Sequence, residues 1–261
     1  MCVKRTTALL VFALFLAGSP LQAGGRHYVH TPLGFTNTAL RDKMMSTLRY
    51  AGMGASGAIA YEHYGTKGTK LFRLSGSQAG ITNTFGSHTD FRNIAFKNYT
   101  YYHRDRGRDG RIVWGWSNNN YYHSYTYLSH GNYSTKTQYF TSFGPALLYT
   151  LRFSIFGLEM RAELPADLQL AGFYFRDKYI SNNPGGYLDP DDLGRMYWLK
   201  TLDAFLPYQA WNAGIYPRLT WIFGNGNALS LSYSYEYLRF NKPEPLVQSA
   251  GAWYISLVTK L

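Results

Sequence analysis

The segment from Leu158 to Leu170 alternates between apolar and polar side chains without a break. Successive side chains of a β-strand point to opposite faces, so this segment has one apolar face and one largely charged face. Its residue types favour a helix, but a helix would spread the apolar positions around its axis, and Pro165 would interrupt it. The pattern predicts a long strand, with a bulge or a local break at Pro165.

Alternation of this length is typical of the wall of a membrane barrel. A strand that crosses a bilayer needs about 9 to 11 residues, with lipid on one side and a polar lumen on the other. Comparable segments recur along the chain and predict an all-β fold, an antiparallel up-and-down transmembrane β-barrel. The predicted strands cover, approximately, residues 26–35, 49–63, 69–85, 91–104, 111–127, 136–153, 158–170, 205–223, 229–237 and 252–261.

The lengths of the connections indicate how many strands there are. A bacterial barrel of this class has an even number of strands, with short turns at one end and longer loops at the other. The short Gly224–Asn227 connection predicts a turn, and the long connection from Arg176 to Ala204 predicts a loop on the opposite side. Parity favours ten strands once residues 26–35 are included, and eight or twelve remain as alternatives.

The beginning of the chain resembles a secretion signal. Lys4 and Arg5 precede an apolar run, and the small-residue pattern ending at Ala23 is typical of a cleavage site. We therefore expect a signal peptide at 1–23 and an outer-membrane barrel at 24–261. The only cysteine, Cys2, lies in the signal, so the mature chain can form neither a disulfide nor a cysteine-based site. No apolar run is long enough for a transmembrane helix.

Aromatic residues make up 18% of the chain, and 24 of them are Tyr. Membrane barrels carry aromatic girdles at both water interfaces. A mean hydropathy of -0.27 is compatible with a barrel, because half of each strand faces a polar lumen. The residues predicted for the girdles are Tyr101, Tyr121, Tyr125, Tyr233, Tyr235, Tyr237 and Trp253.

The chain is basic. Loss of Lys4 and Arg5 with the signal would lower its formal net charge from +11 to +9. A basic balance is compatible with nucleic acid, but the predicted export argues against that partner. For an exported chain the charge favours anionic lipid head groups and lipopolysaccharide as partners. We also expect contact with the barrel assembly machinery during insertion, since the last strand, which ends at Leu261, resembles the closing strand of outer-membrane barrels.

Short motifs resemble a known group of proteins. They are Leu48-Arg-Tyr-Ala-Gly52, Tyr61-Glu62-His63, and the stretch from Glu163 to Phe175 that precedes Tyr187. They are similar to small outer-membrane β-barrels of unknown function that are common in the Bacteroides group. The resemblance implies an outer-membrane location, and it supplies no activity, cofactor or site residue.

Charged residues on the polar faces of the strands are predicted to line the lumen. Lipid would penalise charges by about 2 to 4 kcal/mol at the bilayer midplane, so they face inward. A barrel of about this size has little free interior. A mixed ionic network that fills the lumen is therefore expected, with a narrow polar channel as the alternative. The predicted lumen residues are Glu62, Arg152, Glu159, Arg161, Glu163, Asp167, Arg218, Glu236 and Lys260.

Signatures of an enzyme are weak. His123 and Ser124 are neighbours on a strand and should point to opposite faces. The pairs Ser129–His130 and His103–Asp105 lie near predicted loops or turns. Residues 177–193 contain oxygen ligands but lack a calcium-loop pattern. We predict no catalytic residue, no metal site and no cofactor.

The sequence therefore predicts an integral barrel of the cell outer membrane. Its expected role is structural, or that of a partner in a larger outer-membrane complex. A narrow channel for small polar solutes is the alternative, and an outer-membrane lipid-modifying enzyme is a weaker one.

Overall fold

The computed structural model describes residues 25–43, 47–102, 111–127, 134–176, 202–241 and 245–261. No helix in this part of the chain is long and apolar enough to cross a membrane. The expected signal peptide lies outside the described residues. The strands are β1 (Arg26–Asp42), β2 (Tyr50–Tyr64), β3 (Gly68–Thr82), β4 (His88–Tyr102), β5 (Arg111–Tyr127), β6 (Ser134–Ile155), β7 (Leu158–Gln169), β8 (Ala171–Arg176), β9 (Asp203–Phe205), β10 (Ala210–Ile215), β11 (Arg218–Ile222), β12 (Ala228–Phe240) and β13 (Leu246–Lys260).

These strands form one closed antiparallel sheet. β7 and β8 together make one wall strand, and β9, β10 and β11 make the next. The described residues therefore build a barrel with ten wall strands, which confirms the fold predicted from the alternation. β1 closes the sheet by pairing with β13 over fifteen residues, from Tyr28–Lys260 to Asp42–Leu246. Closure leaves no long unpaired edge.

The two ends of the barrel differ in their connections. At one end, named the turn end, lie the beginning of β1, the end of β13 and mostly short connections. The opposite end is named the loop end. The turn-end connections are 65–67, 103–110, 156–157 and 223–227, and the loop-end connections are 43–49, 83–87, 128–133, 177–202 and 241–245.

The outer face of the wall is apolar over much of its height. Leu33, Ile255 and Leu257 are 62 to 72% exposed, and Trp114 is 67% exposed. The inner face carries Ser, Thr, Asn, Gln and charged residues together with buried aromatic rings. This division follows from the period of two in the sequence, because one face meets an apolar surrounding and the other packs inside the barrel.

The irregularity predicted at Pro165 is not in its own strand. β7 runs through Pro165 in unbroken register with Leu148. The backbone N–H of Tyr216 donates to the oxygen of Pro165 at 2.9 Å. The return bond of this pair would need an N–H that proline lacks, and the neighbouring wall strand is interrupted here, at Tyr216 and Pro217, between β10 and β11.

The bulge lies further along, at Leu170. Ala146 pairs with Asp167, and Phe143 pairs with Ala171. One extra residue is therefore present on the β7–β8 side, and the N–H of Leu170 donates to the oxygen of Phe143 at 3.1 Å. The prediction of a bulge at Pro165 was wrong, because proline can occupy a ladder position whose missing donor faces an interrupted neighbour.

Inward side chains differ in size around the barrel. Near the middle of their lengths, β12, β13, β1, β2 and β3 carry small inward residues, whereas their ends carry larger ones such as Tyr50 and Phe240. β4, β5 and β7 carry larger ones, including Tyr, Lys, Arg and Asn. The small inward residues include Ser230, Ser232, Ser234, Ala250, Ala252, Gly34, Thr36, Gly54, Ser56, Ser75 and Ser77.

The turn between β6 and β7 contains a strained residue. Ile155 pairs with Leu158, so the connection is the two-residue turn Phe156–Gly157. Both residues have positive φ, 51° for Phe156 and 78° for Gly157. A bulky residue rarely adopts this region, and two-residue hairpins of this type prefer Asn-Gly.

We predict that Phe156→Asn stabilises the barrel by about 1 kcal/mol, because asparagine tolerates the left-handed region better than phenylalanine. The measurement is the free energy of unfolding in urea, with the protein refolded into phospholipid vesicles. Phe85→Asn is the control, since Phe85 is 80% exposed in a turn and has no positive φ. An equal gain in both variants would show that loss of an exposed ring, rather than relief of backbone strain, is responsible.

Candidate functional site in the barrel lumen

A network of charges occupies the lumen near the turn end. Arg218 lies at its centre, with Nη2 2.9 Å from Oε1 of Glu62 and 2.6 Å from Oε2 of Glu163. Nε2 of His30 is 2.9 Å from Oε2 of Glu62. Nε of Arg161 is 3.2 Å from Oε2 of Glu163. Both carboxylates are at most 4% exposed, so the charges are paired away from water.

Strand register explains why these residues meet. Arg218 and Glu163 are directly opposite each other on β11 and β7. His30 on β1 and Glu62 on β2 lie on neighbouring strands with inward parity. Tyr64 packs against this network. Its hydroxyl donates to Oε1 of Glu163 at 3.2 Å, and its ring lies 4.9 Å from the guanidinium of Arg161. The network therefore ties β1, β2, β7 and β11 together across the lumen.

A second cluster surrounds Asp167 near the middle of the barrel. Its Oδ2 accepts hydrogen bonds from the hydroxyl of Tyr99 and from Nδ2 of Asn119, both at 2.8 Å. The hydroxyl of Tyr216 donates to Oδ1 at 3.4 Å. Nζ of Lys97 donates to the hydroxyl of Tyr216 at 3.1 Å. Asp167 is only 6% exposed, so these donors replace the water that a carboxylate would otherwise bind.

Lys97 connects this cluster to Glu236. Lys97 and Glu236 form a close ion pair, and Lys97 is 3% exposed. The other carboxylate oxygen of Glu236 accepts a hydrogen bond from the hydroxyl of Tyr121 at 2.9 Å. Asn212 donates to that hydroxyl at 3.2 Å. One continuous set of polar contacts therefore crosses from β4 to β12.

The loop end is closed by a different kind of packing. Nη2 of Arg176 donates to Oδ1 of Asp42 at 2.8 Å, and Gln138 donates to the other oxygen at 3.2 Å. Beside this pair, the rings of Phe140 and Tyr174 pack edge-on against Phe240, with centroids 6.0 and 5.2 Å away. The buried apolar cluster consists of Leu40, Tyr50, Ala79, Ile81, Phe91, Ala95, Tyr121, Tyr125, Phe140, Tyr174, Phe205, Ala210, Leu238, Phe240 and Leu246.

Two of the small cavities among the described residues lie between these packed regions. One, of about 40 Å³, is lined in part by His123 and Glu236. The other, of about 60 Å³, is lined in part by His30 and Arg218. Arg73 and Lys97 line both. Each exceeds the roughly 10–15 Å³ that one water molecule needs, and both adjoin the wall that carries small side chains.

Six of the predicted lumen residues lie inside the barrel and belong to the contacts described above. They are Glu62, Arg161, Glu163, Asp167, Arg218 and Glu236. Arg152, Glu159 and Lys260 have the same inward parity but are exposed, so they are not part of the packed interior and stay predictions for the mouth of the lumen. They lie within the last few residues of their strands at the turn end, beyond the packed interior.

The predicted aromatic girdle needs a larger correction. Tyr101, Tyr121 and Tyr125 are at most 3% exposed and point into the lumen. Tyr233, Tyr235, Tyr237 and Trp253 lie on the outer face, where Tyr235 is 39% and Trp253 46% exposed. Adjacent tyrosines such as Tyr101 and Tyr102 necessarily face opposite sides, and Tyr102 is the one outside, at 58% exposed.

Several residues of the lumen were missed. His30, Lys97, Tyr99, Asp42 and Arg176 all make contacts that close the interior. Parity could have found Lys97 and Tyr99, since they alternate with outward residues along β4. The pairing of Arg176 with Asp42 could not be found that way, because it joins strands far apart in the chain.

The candidate catalytic residues do not converge. His123 is 1% exposed inside the lumen, with Phe91 and Phe140 rings about it at 5.5 and 5.3 Å. Ser124 follows it on the outer face. The His103–Asp105 and Ser129–His130 pairs and the 177–193 loop lie outside the described residues. In the described part of the chain, no group of three or more His, Cys, Asp or Glu is placed to hold a metal ion.

We predict that Arg218→Met destabilises the barrel by about 3 to 5 kcal/mol, because Glu62 and Glu163 would remain buried without their shared cation. The free energy of unfolding in urea measures the loss. Arg152→Met is the control, since Arg152 is exposed at the end of its strand and its replacement should change stability by less than about 0.5 kcal/mol. Similar losses in both variants would contradict the role of the network.

No protein-family model matches the chain, and no curated protein sequence matches it. Among solved structures, the outer membrane protease OmpT from Escherichia coli is similar, with a TM-score of 0.53 and 8% identity over 93% of this chain and 100% of that chain. The beta domain of the Bordetella autotransporter BrkA has a TM-score of 0.41 and 13% identity over 90% and 98%. Ail of Yersinia pestis has a TM-score of 0.36 and 7% identity over 90% and 99%. The OmpT similarity and the closed sheet together show that this chain has the fold of outer-membrane β-barrels.

Proposed function

We propose that the protein is an integral barrel of the outer membrane with a structural or complex-partner role and a lumen that does not conduct. The observation that carries this proposal is the occupied interior. Paired charges centred on Arg218 fill the turn end, and buried aromatic rings around Phe240 fill the loop end. A solute would have to displace both.

Membrane insertion is supported by the outer face. Large apolar side chains such as Leu33, Trp114 and Ile255 are more than 60% exposed. Contact of such a large apolar surface with water would be unfavourable. A closed sheet satisfies its backbone hydrogen bonds internally, as hydrocarbon requires. Lipid and lipopolysaccharide are the proposed surroundings, and the assembly machinery is the proposed partner during insertion.

The charges of the lumen have a structural purpose in this proposal. Breaking a buried ion pair leaves a costly uncompensated charge, so the cross-lumen contacts resist rearrangement. Arg218 bridges residues of β2 and β7, and Lys97 bridges β4 and β12. These contacts brace opposite walls of the barrel. They provide rigidity without any requirement for turnover or transport.

These two cavities support a second candidate, a narrow conduit for small polar solutes. They share Arg73 and Lys97, so together they follow one side of the lumen from near His30 to near His123. Opening such a path would require movement of the Arg218 network and of the aromatic rings around Phe240. The channel is therefore the alternative. The packing better supports a structural role with a lumen that does not conduct.

We predict that the purified wild-type protein gives no steady ion current in planar lipid bilayers, because both ends of its lumen are packed. Folding in the same preparation is checked by heat-modifiable migration on gels, and location by recovery from the outer-membrane fraction. A stable unitary current would contradict the closed lumen.

If a current is observed, the ion selectivity of variants shows which part of the lumen carries it. If the cavities formed it, Arg73→Gln would change its ion selectivity, while the exposed control Arg152→Gln would leave it unchanged. Recovery of the protein from the soluble periplasm would contradict the membrane location itself.

A further inference from the structure

Two exposed arginines lie close together on the outer face of the wall at the loop end. Arg41 on β1 and Arg239 on β12 are both paired with Val247 on β13, which stands between them. Both arginine side chains point away from the lumen, because the preceding residues Leu40 and Leu238 are buried inside it. Two strand spacings separate the arginines, so their Cα atoms are about 10 Å apart.

Each guanidinium is anchored through its Nε atom. Nε of Arg41 donates to the backbone oxygen of Thr47 at 3.0 Å, and Nε of Arg239 donates to Oδ1 of Asn241 at 2.9 Å. Among the residues that the structure describes, no carboxylate forms an ion pair with either arginine. The terminal nitrogens of both side chains therefore keep N–H groups that can bind an anion.

Two anchored guanidiniums on one surface suit a phosphorylated ligand. The planar fork of a guanidinium matches two oxygens of a phosphate, and such charge-assisted hydrogen bonds are stronger than neutral ones. Because the Nε bonds already orient the side chains, less conformational entropy is lost when a ligand binds. An anion between the arginines would also offset the repulsion between two like charges.

The depth of the two arginines favours a lipid as the ligand. Along β12, Tyr235 and Tyr237 occupy the outward positions directly before Arg239. Further down the same wall, Leu33 and Phe35 on β1 are 72 and 52% exposed. Aromatic rings of membrane barrels lie at the level of the lipid head groups, so charges just beyond them lie at the depth of lipid phosphates. The longer loops of such barrels are on the outer side, which places these arginines at the outer leaflet.

Aromatic rings adjoin Arg239. Trp211 lies directly opposite Arg239 on β10, and its ring centroid is 5.2 Å from that of Tyr237. Nδ2 of Asn241, which anchors Arg239, also donates to the backbone oxygen of Tyr208 at 3.0 Å, and Tyr208 is 65% exposed. The negative face of an aromatic ring attracts the C–H groups of a sugar ring. A phosphorylated glycolipid could therefore use both the arginines and the rings, whereas a phospholipid without a sugar could use only the arginines.

We propose that Arg41 and Arg239, with the rings of Trp211, Tyr237 and Tyr208 beside them, bind the phosphorylated sugar head group of one lipopolysaccharide molecule. This surface is named the arginine site. The guanidiniums bind the phosphates, and the aromatic rings contact the sugar. The proposal depends on the membrane location proposed above, and it does not depend on whether the lumen conducts.

The test measures how many lipid molecules stay bound to the folded protein. The purified barrel in detergent micelles is titrated with bisphosphorylated lipid A, the part of lipopolysaccharide that is embedded in the membrane. Native mass spectrometry gives the number of bound molecules and the dissociation constant. We expect one tightly bound lipid A on the wild type. Arg41→Gln and Arg239→Gln should each raise the dissociation constant by about ten-fold, because each removes charge-assisted hydrogen bonds to phosphate.

Arg92→Gln is the matched control. Arg92 is likewise exposed and outward on β4, but Gln78 and Ser124 stand opposite it, and Asp90 lies two positions away on the same face. Its replacement should leave the dissociation constant unchanged, and heat-modifiable migration shows whether each variant is folded. A wild type without tightly bound lipid A, or equal losses in all three variants, would overturn the proposal.

Two further lipids separate the contributions of phosphate and sugar. Lipid A without its phosphates should bind the wild type about ten-fold more weakly, because the guanidiniums lose their partners. Equal binding with and without phosphates would contradict the role of the arginines. Phosphatidylglycerol carries a phosphate and no sugar ring, so equal affinity for it would overturn the assignment to lipopolysaccharide. Recovery of the protein from the outer-membrane fraction without any affinity for lipid A would overturn only the arginine site.

Discussion

Each wall strand of this barrel separates two environments, and the period of two in its side chains is what permits that. A residue on one face of a strand meets the apolar exterior, and the next residue meets the packed interior. The closing pairs between β1 and β13 make this separation complete, because they leave the described sheet without a long free edge. A slip of one residue in register would exchange the two faces along a whole strand. Packing of the lumen and composition of the belt therefore enforce the same register.

Burial of charge in the lumen depends on that register. Arg218 can serve two carboxylates only because β11 and β7 place it opposite Glu163 while β2 brings Glu62 within reach. The contacts around Asp167 work differently, since neutral hydroxyl and amide donors satisfy most of a buried carboxylate. The interior thus combines ionic cross-links near the turn end with aromatic packing near the loop end. The two kinds of packing close the barrel by independent means.

The local pattern of apolar and polar residues was sufficient to predict the strands of the barrel wall. Strand positions, the ten-strand barrel and the inward position of Glu163 and Asp167 follow from alternation and parity, which are properties of neighbouring residues. The side faced by Tyr121 and Tyr125 was predicted wrongly, because an aromatic ring suits both a membrane interface and a packed lumen, and only the phase of the strand decides between them. The pairing of Arg176 with Asp42 needs the barrel closed, since it joins residues 134 positions apart. For Arg152, parity gives the inward direction and does not give the depth at which the packing ends.

The small inward side chains of β12, β13, β1, β2 and β3 bear on how the barrel can be assembled. The seam between β1 and β13 joins the two ends of the described chain, and it lies within this half of the wall. Near mid-height, the bulky inward residues belong mainly to β4, β5 and β7, in the central part of the chain. Those strands can therefore pack their side chains against one another while the terminal strands are still apart. In the middle of this seam the small inward residues Gly34, Thr36, Ala250 and Ala252 present little volume to be displaced when the first strand meets the last. Larger inward residues such as Leu40 and Leu246 lie toward the end of the seam, so most of the packing added by closure is added there.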